Sequence, residues 1–451
     1  MGGVFLSTMD SGMVNIAIPT IMRHFDLAIA KSELVVTTYL LTVTISLVFW
    51  GRIADRKGFA KVYLGGLLIF SLGAWCCYFT ANYSLLLLSR FVQGLGASMM
   101  MATGPAIIKT SFPGGRLGRN LGLVGIATAC GLLTGPFVCG QLLTHFSWRS
   151  IFALLGLLSL MIFCAGFLLL GAKDDARQGY YRGQFDWKGG LCWVVSVILV
   201  INILQGFHQS LVIVSAAKTM SLAGLLYCFI SVEKKAPHPI VPLHLFKNRY
   251  YWVGVVTASL SFLSLFSVLV LVPFYLDYVL GLSSSQIGVT MMAVPATLII
   301  LSPSAGYLYD KIGAKYLTSL GLLLSCGALF GLAELSEMSS RFSIVALLAM
   351  LGAGQSIFLA PNSASVLSRV GDLMAGVTAG ILATARNFGM VVGATVATVL
   401  FGYFSHGFAP EIGVTQIQNL DTAIIVLAFG STLKCIAGST FLATLISTLR
   451  R

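Results

Sequence analysis

Charged residues are scarce in this chain. Only 10% of its 451 residues are Asp, Glu, Lys or Arg, against about 25% in an average soluble domain. Acidic residues number 15 against 28 Lys and Arg, while 57% of the residues are hydrophobic and the mean hydropathy is +0.91. A water-soluble protein of this length would need far more polar side chains to cover its surface. This scarcity excludes a soluble globular protein.

Several sequence motifs are also missing. There is no H-E-x-x-H, no G-x-S-x-G and no G-x-x-x-x-G-K-[ST], and all six histidines lie in or beside expected loops. These absences argue against a membrane enzyme and against a pump driven by nucleotide hydrolysis. The excess of basic residues forms no patch interleaved with aromatics, so we expect no nucleic-acid partner. Rings of like charge, which a passive channel would need, are not apparent either.

Long uncharged runs dominate what is present. A helix needs about 20 apolar residues to cross the hydrocarbon layer of a bilayer, and runs such as 62–89 and 278–309 exceed that length. Division of the longest runs at Gly, Pro, Asn and Ser predicts fourteen transmembrane helices. Their expected positions are 1–20, 33–53, 62–81, 84–108, 119–143, 149–171, 188–206, 210–232, 250–277, 285–308, 314–335, 342–367, 374–404 and 421–448.

Basic residues are unevenly distributed between alternate loops. Most Lys and Arg fall in loops on the same side of the membrane as the loop that follows the second expected span. The loops on the opposite side hold only Arg23, Lys31, Arg149 and Arg341. Because basic loops are retained in the cytoplasm, we expect a multi-pass protein of the plasma (inner) membrane with both termini cytoplasmic. All nine cysteines fall within expected spans, which favours packing roles over a disulfide framework or a metal site.

An internal repeat defines the expected architecture. The pattern G-x-x-x-D-[RK]-x-G occurs after the second span and again after the tenth, about 255 residues later. Other landmarks keep a similar offset, including Pro105 with Pro361 and Gly131/Gly135 with Gly389/Gly393. Such repeats are expected in transporters whose halves rock around a central site. We therefore predict an all-α membrane protein with six-helix bundles at 1–172 and 250–451, joined by a linker at 173–249 that carries two inserted helices.

The repeated turn has a mechanical interpretation. Its glycines permit a tight backbone, and Asp55 can cap a helix or pair with a basic residue, which would close a gate. The alternative is a charged turn that only anchors the topology. The candidate gating residues are Gly51, Asp55, Arg56, Gly58 and Lys61 in the first copy, and Gly306, Asp310, Lys311 and Gly313 in the second.

Asp10 lies within the first expected span. A carboxylate inside the bilayer is costly unless it lines a cavity or finds a partner, so it marks a functional site such as a place that binds and releases a proton. The alternative is that the first span starts late, which would make Asp10 an ordinary capping residue at the cytoplasmic interface.

Arg90 and Gln93 lie three residues apart in the fourth span and hence on one helix face. A buried guanidinium stays charged, so it must pair with a carboxylate, a backbone carbonyl or an anionic substrate. The alternative is that Arg90 reaches the nearby outer interface along its aliphatic stem.

These segments together resemble the major facilitator superfamily. Residues 51–61 are similar to its G-x-L-A-D-R-x-G-x-[RK]-x loop signature, with Ile53 for the usual Leu and Ala60 for the usual basic residue. Residues 88–97 resemble its fourth-helix R-x-x-Q-G-x-G-A signature. Residues 131–140 resemble the G-x-x-x-G-P-x-x-G-G signature of antiporters, with Cys139 for a Gly. Residues 9–19 resemble the first-helix signature of the fourteen-span drug:proton antiporter branch, with Gly12 for the usual Thr.

The resemblance implies roles for several of these residues. It implies that Asp10 and Arg90 take part in proton coupling, and that the antiporter helix is formed around Gly131, Gly135 and Pro136. The expected substrate cavity is lined by polar and aromatic residues inside spans, for each of which packing is an equal alternative. They are Asn15, Gln93, Phe274, Tyr275, Gln355, Asn362 and Arg386, the last of which could bind an anionic group or brace a neighbouring helix.

We therefore expect a proton-coupled exporter of amphipathic organic compounds that works by alternating access. Its partners would be a small-molecule substrate, protons and the lipid bilayer, with the proton gradient as energy source and no cofactor or catalytic residue. We expect a monomer, because the glycine-rich helix faces are already needed within the bundle. One alternative is a dedicated exporter of one endogenous metabolite, for example an anionic one. Another alternative is an uncoupled facilitator.

Overall fold

In the computed structural model, every regular element of the described residues is helical. The described residues are 1–27, 34–111, 117–170, 187–205, 212–235, 239, 241–371, 374–406 and 422–450. The first eight α-helices are α1 (Gly2–Phe25), α2 (Leu34–Lys57), α3 (Phe59–Phe79), α4 (Tyr83–Ser111), α5 (Leu117–His145), α6 (Arg149–Leu170), α7 (Trp187–Gln205) and α8 (Val212–Lys235). After a short 3₁₀ turn at Leu243–Lys247 come α9 (Arg249–Tyr278), α10 (Ser284–Met291), α11 (Ala293–Ile312), α12 (Ala314–Ala333), α13 (Arg341–Leu367), α14 (Ala375–His406) and α15 (Thr422–Thr448).

Eleven of the described spans are long and apolar enough to cross a membrane, and α1 makes a twelfth if its two segments, bent by 40° around residue 15, count as one. Six of the twelve end before residue 172 and six begin at or after residue 249. Helices α10 and α11 together supply one of the latter, at Gln286–Ile312. The protein is thus a multi-pass membrane protein. Helices α7 and α8 are present at the expected insertion, and α7 contains the shorter apolar stretch Gly189–Leu199. The count of fourteen spans stays a prediction.

The helices group into two compact units. Unit 1 contains Met1–Asp186, Ala236–Pro242 and Val366–Thr384, so it includes the first turns of α14. Its buried apolar core is formed by residues of α1 to α6, among them Met13, Phe70 and Phe152, together with Ala383 of α14. Unit 2 contains Trp187–Lys235, Leu243–Ser365 and Ala385–Arg451. The domain boundaries expected at 172/173 and 249/250 stay a prediction.

Each repeated turn has a glycine with a positive φ angle at the junction of two helices. Gly58 lies between α2 and α3 with φ 93°, and Gly313 lies between α11 and α12 with φ 78°. Side chains with a Cβ rarely adopt such positive φ values, whereas glycine does so readily. The two glycines let each helix pair reverse direction within one residue, and the sequence repeat is therefore also a structural repeat.

The repeated glycines Gly131/Gly135 and Gly389/Gly393 each place two helices in backbone contact. A Cβ on Gly135 of α5 would lie 2.8 Å from the Met9 carbonyl oxygen of α1. In the second copy, Gly389 and Gly393 of α14 approach the carbonyl oxygens of Ser259 and Leu263 of α9 closely enough that a Cβ would collide. Small residues allow such close approach of membrane helices. Helix α5 therefore packs on α1 as α14 packs on α9.

Candidate functional site

Unit 1 contains a buried polar cluster formed by Asp10, Arg90 and Gln93, all with 0% exposure. Arg90 Nη1 donates to both carboxylate oxygens of Asp10, at 2.8 and 3.0 Å, and to Gln93 Oε1 at 2.7 Å. Gln93 Nε2 donates to Asp10 Oδ1 at 3.2 Å, which closes a three-membered network. Helices α1 and α4 thus bring together residues that are 80 positions apart in the chain.

Helix α2 completes the surroundings of Arg90. The Val35 carbonyl oxygen accepts from Arg90 Nε at 3.1 Å, and the guanidinium carbon lies 4.3 Å from the centroid of the Tyr39 ring. The Tyr39 hydroxyl is in turn 2.9 Å from the Ser7 hydroxyl of α1. A buried charge is stabilised by pairing and by hydrogen bonds to its remaining donors; of the Arg90 nitrogens, Nη1 and Nε are bonded, and Nη2 has no partner among the described residues. Neither of the interface arrangements considered from the sequence is found for Asp10 or Arg90.

This arrangement gives the bond between α1 and α4 a dependence on protonation. An ionised Asp10 accepts three hydrogen bonds, two of them from a cation, and such charge-assisted bonds are about twice as strong as neutral ones. A protonated carboxyl would lose the ion pair and leave Arg90 with Gln93, the Val35 carbonyl and the Tyr39 ring. Loss of one partner from a buried pair costs about 3–5 kcal/mol. Proton binding at Asp10 can therefore change how α1 packs.

Asp55 of the repeated turn caps another helix. Its Oδ1 accepts from the backbone N–H of Gly376 at 2.7 Å, and its Oδ2 accepts from that of Val377 at 2.9 Å. Both N–H groups belong to the first turn of α14, where the helix dipole favours a negative charge. A Cβ on Gly51, one turn earlier on α2, would collide with the Gly376 carbonyl oxygen. The carboxylate and the glycine together hold the end of α2 against the start of α14.

The other candidate gating residues lie around the two repeated turns. Arg56 is half-buried and Lys61 is exposed. In the second copy Gly306 is buried, Asp310 is half-buried, and Lys311 is exposed with its Nζ 4.7 Å from the centroid of the Tyr307 ring. Lys109, which the sequence did not single out, donates from Nζ to the Val370 carbonyl oxygen at 2.5 Å, near the start of α14. The gating role of all these residues stays a prediction.

The antiporter-helix residues lie along the contact of α5 with α1. A Cβ on Gly131 would collide with the Thr8 hydroxyl, and Gly135 faces the Met9 carbonyl next to Asp10. The Cys139 thiol lies 3.1 Å from the Met13 carbonyl oxygen, so a residue that departs from the antiporter signature still contacts α1. The side chains of Pro136 and Asn15 lie outside the described residues.

Two of the expected cavity residues in unit 2 bond to α9. Gln355 accepts from the Ser261 hydroxyl at 2.8 Å and donates to the Ser261 carbonyl oxygen at 3.1 Å. Asn362 donates to the Gly254 carbonyl oxygen at 3.0 Å. Both side chains join α13 to α9, which is what packing requires, so contact of either residue with substrate stays a prediction.

Two aromatic candidates lie near the end of α9. The buried Tyr275 donates its hydroxyl to the Ser336 carbonyl oxygen at 2.7 Å and stacks on Phe429 at 4.8 Å between centroids. Phe274 is 39% exposed and stacks on Tyr278. The contacts of Tyr275 are those of a packed side chain, whereas Phe274 is partly exposed, and a role of either residue in the cavity stays a prediction.

Arg386, the remaining candidate in unit 2, is a partly buried residue of α14. Its Nη2 donates to the Ser363 hydroxyl of α13, and its guanidinium carbon lies 5.7 Å from the centroid of the Phe262 ring of α9. Its Nε is buried and has no hydrogen-bond partner among the described residues.

Arg450 is a buried residue that sequence reasoning missed. It has 0% exposure, and it donates to hydroxyls of Thr257, Thr318 and Ser365 at 3.2–3.3 Å and to the Asn362 side-chain oxygen. Burial lowers its pKa to about 10. Arg450 follows the last helix, where a basic residue reads as a topology signal, so no feature of the sequence distinguished it.

Most of this helical membrane protein, including both copies of the internal repeat, matches a protein-family model. The model described as "Major Facilitator Superfamily" matches residues 1–394. The chain belongs to the major facilitator superfamily. It is a membrane transporter of that family and not an enzyme.

Named relatives and a solved structure agree with the family assignment. The chain is 29% identical over 449 residues to the riboflavin transporter RibZ of Clostridioides difficile (strain 630), which covers 99% of this chain and 94% of the relative. It is 28% identical over 419 residues to the multidrug resistance protein Stp of Mycobacterium tuberculosis (strain ATCC 25618 / H37Rv), which covers 91% and 76%. The structure of the proton:xylose symporter XylE matches with a TM-score of 0.69 at 15% identity, covering 98% of this chain and 92% of that one. At that identity the match concerns the fold alone.

Proposed function

We propose that this transporter is a proton-coupled antiporter that exports amphipathic organic compounds by alternating access. The observation that carries the proposal is the buried Asp10–Arg90–Gln93 network, in which one protonation event changes the bonds between two helices. A site can couple to a conformational change only if it interacts differently with the two states. We propose that Asp10 acts in this way, because its bonds to Arg90 depend on its charge and would be strongest in the state in which the two side chains pair.

The expected cycle exchanges substrate for a proton. Ionised Asp10 pairs with Arg90 in one state, and protonated Asp10 releases the pair and loosens α1 in the other. Helix α5 follows α1 because their backbones touch at Gly131 and Gly135. In the proposed gate, the bonds from Asp55 to the first turn of α14 form and break as the cycle proceeds. No cofactor is required, since the proton gradient supplies the energy.

Export rather than uptake is supported by the antiporter-like signature at residues 131–140 and by a relative named as a multidrug resistance protein. We further propose that α7 and α8 are the inserted pair of a fourteen-span member of the family. The charge distribution of the loops supports a plasma-membrane protein with both termini cytoplasmic. Its six-plus-six core needs no second copy, and we propose that it works as a monomer.

The test is an Asp10→Asn variant in inverted vesicles with an imposed pH gradient. Asn has nearly the shape of Asp but cannot gain or lose a proton. We expect pH-gradient-driven transport of at least one of riboflavin, ethidium and fluorescein to fall by about tenfold or more, since the proton step is lost. Substrate exchange without a gradient should persist, because Gln93 and the Val35 carbonyl still hold Arg90. The melting temperature should fall, because removal of one partner of a buried ion pair costs about 3–5 kcal/mol.

The matched control is Asp277→Asn, which makes the same chemical change at an exposed carboxylate near the end of α9. It should transport like the unmodified protein. Normal gradient-driven export by the Asp10→Asn variant would remove Asp10 from the mechanism. Transport of a probe that ignores the pH gradient in the unmodified protein would show an uncoupled facilitator.

A further inference from the structure

Two arginines of unit 2, Arg386 and Arg450, have no carboxylate partner among the described residues, and of these only Arg386 lies inside a span. Arg386 lies twelve residues into α14, about 16 Å from the start of the helix at 1.5 Å per residue. That position is well inside the span Ala375–Ser405. No carboxylate pairs with it among the described residues. An unpaired Arg at such a depth is costly, by roughly 2.5–3.5 kcal/mol even on the most lenient scales.

None of the described carboxylates of unit 2 belongs to the middle of a membrane span. Each lies in the last turn of a helix, at a helix end or in a connecting loop, and they are Glu233, Asp277, Asp310, Glu334 and Glu337. Unit 1 also contains buried arginines, Arg52 and Arg90. Arg90 differs from Arg386 because it forms an ion pair with Asp10 at 2.8 Å. The charge of Arg90 is therefore neutralised within unit 1, whereas no carboxylate in the described part of the chain pairs with Arg386.

The described partners of Arg386 are neutral and do not satisfy all of its hydrogen-bond donors. The Ser363 hydroxyl takes one donor of the guanidinium, and this hydroxyl also donates to the Leu359 carbonyl oxygen at 2.7 Å. The Phe262 ring contributes a weak cation–π contact at 5.7 Å. A guanidinium has five N–H donors. Within the part of the chain that the structure describes, Nη2 bonds to Ser363 and the buried Nε has no acceptor. Donors therefore remain for a ligand that brings its own oxygen atoms and negative charge.

We propose that Arg386 binds an anionic group of the substrate, a carboxylate or another planar oxyanion, next to an apolar ring that packs near Phe262. This inference rests on the proposed transport function and narrows its substrate class to amphipathic organic anions or zwitterions. The guanidinium fork matches a carboxylate with two parallel hydrogen bonds, which an ammonium cannot do. Substrate binding would then supply the charge that unit 2 lacks.

The test measures equilibrium binding by calorimetry of the purified full chain in detergent, without any gradient. Three probes share one ring and differ in charge: 1-naphthoate, 1-naphthamide and 1-naphthylmethylammonium. The unmodified protein should bind naphthoate most tightly. Arg386→Gln should weaken naphthoate binding about tenfold or more, as expected for loss of a hydrogen bond to a charged group, and leave naphthamide binding unchanged. Arg386→Lys should give an intermediate loss.

Two further variants separate ligand binding from bracing of α13 against α14. Ser363→Ala removes the hydroxyl partner but keeps the charge, so naphthoate affinity should be kept or improved. If Arg386 only braces the helices, Arg386→Gln and Ser363→Ala should lower the melting temperature alike and leave the preference among the probes unchanged, and that result overturns the proposal. Lys434→Gln is the control, because it removes a positive charge from the same unit at a 52% exposed side chain.

Other outcomes also decide the question. Equal affinity of the unmodified protein for the three probes, or equal weakening of all three by Arg386→Gln, would overturn the anion site. Failure of the proposed proton coupling is a separate result, because Asp10→Asn should still bind naphthoate. Selective loss of naphthoate binding in Arg386→Gln supports the proposal whatever the coupling assay shows.

Discussion

Substitution of Asp55 by Asn should release the first turn of α14. The carboxylate now accepts from two backbone N–H groups, one on each oxygen, at 2.7 and 2.9 Å. An Asn side chain has one oxygen, so its NH₂ group would face the second N–H and leave that donor without an acceptor. The negative charge that complements the helix dipole is lost as well.

The magnitude follows from these two losses. A hydrogen bond to a charged group contributes about 1.5–3 kcal/mol, and a favourable charge at a helix N-terminus contributes about 0.3–1 kcal/mol, or up to ~2 when partly buried. Since Asp55 is half-buried, we take the sum as roughly 3 kcal/mol. Each 1.4 kcal/mol is a factor of ten. The opening equilibrium of the first turn of α14 should thus rise by about 100-fold.

Hydrogen exchange measures this opening directly. The amides of Gly376 and Val377 should exchange up to about 100-fold faster in Asp55→Asn than in the unmodified protein, since exchange follows local opening. The control is Asp277→Asn, which should leave those amides unchanged. Transport turnover in reconstituted vesicles should also change, while substrate binding persists. Unaltered exchange at both amides would refute the helix-capping argument, and unaltered turnover would refute the gating role.

Two predictions concern packing and charge. Gly131→Ala should lower the melting temperature by the equivalent of about 1–3 kcal/mol, because its Cβ would collide with α1. Gly140→Ala on the same helix has nothing within 4 Å of the new Cβ, so stability should stay or rise, and equal effects of the two would contradict this packing. Lys434→Gln should change stability by less than about 1 kcal/mol, because Lys434 and Glu334 are 52% and 71% exposed; a larger loss in thermal melting would contradict this weak pairing.

Part of the site could be predicted from local patterns. Asp10 and Arg90 each stood out as a charge inside an apolar run, and the cost of such charges implied a partner. The structure pairs them with each other, although the sequence alone could not choose between carbonyls, carboxylates and substrate for Arg90. The conformation of Gly58 and Gly313 was also predictable, because a repeated glycine in a tight turn implies a backbone conformation that other residues avoid.

The rest depended on contacts that the sequence does not encode locally. The partner of Asp55 is the backbone of residues 376 and 377, more than 320 positions away, and any helix N-terminus would have fitted the pattern equally well. Tyr39 lies in an ordinary run of apolar and hydroxyl residues in the sequence, so nothing there indicated that its ring would contact Arg90. Arg450 resembled a terminal topology signal, and only its burial among hydroxyls reveals a structural role.

The different pairing of Arg90 and Arg386 has an electrical consequence. Asp10 and Arg90 together carry no net charge while paired, so an electric field exerts little force on them. Arg386 carries a whole charge into the span, and moving one such charge across 100 mV changes the energy by about 2.3 kcal/mol. An anion bound at Arg386 would cancel that sensitivity. The loaded and empty forms of the carrier should therefore respond differently to membrane voltage.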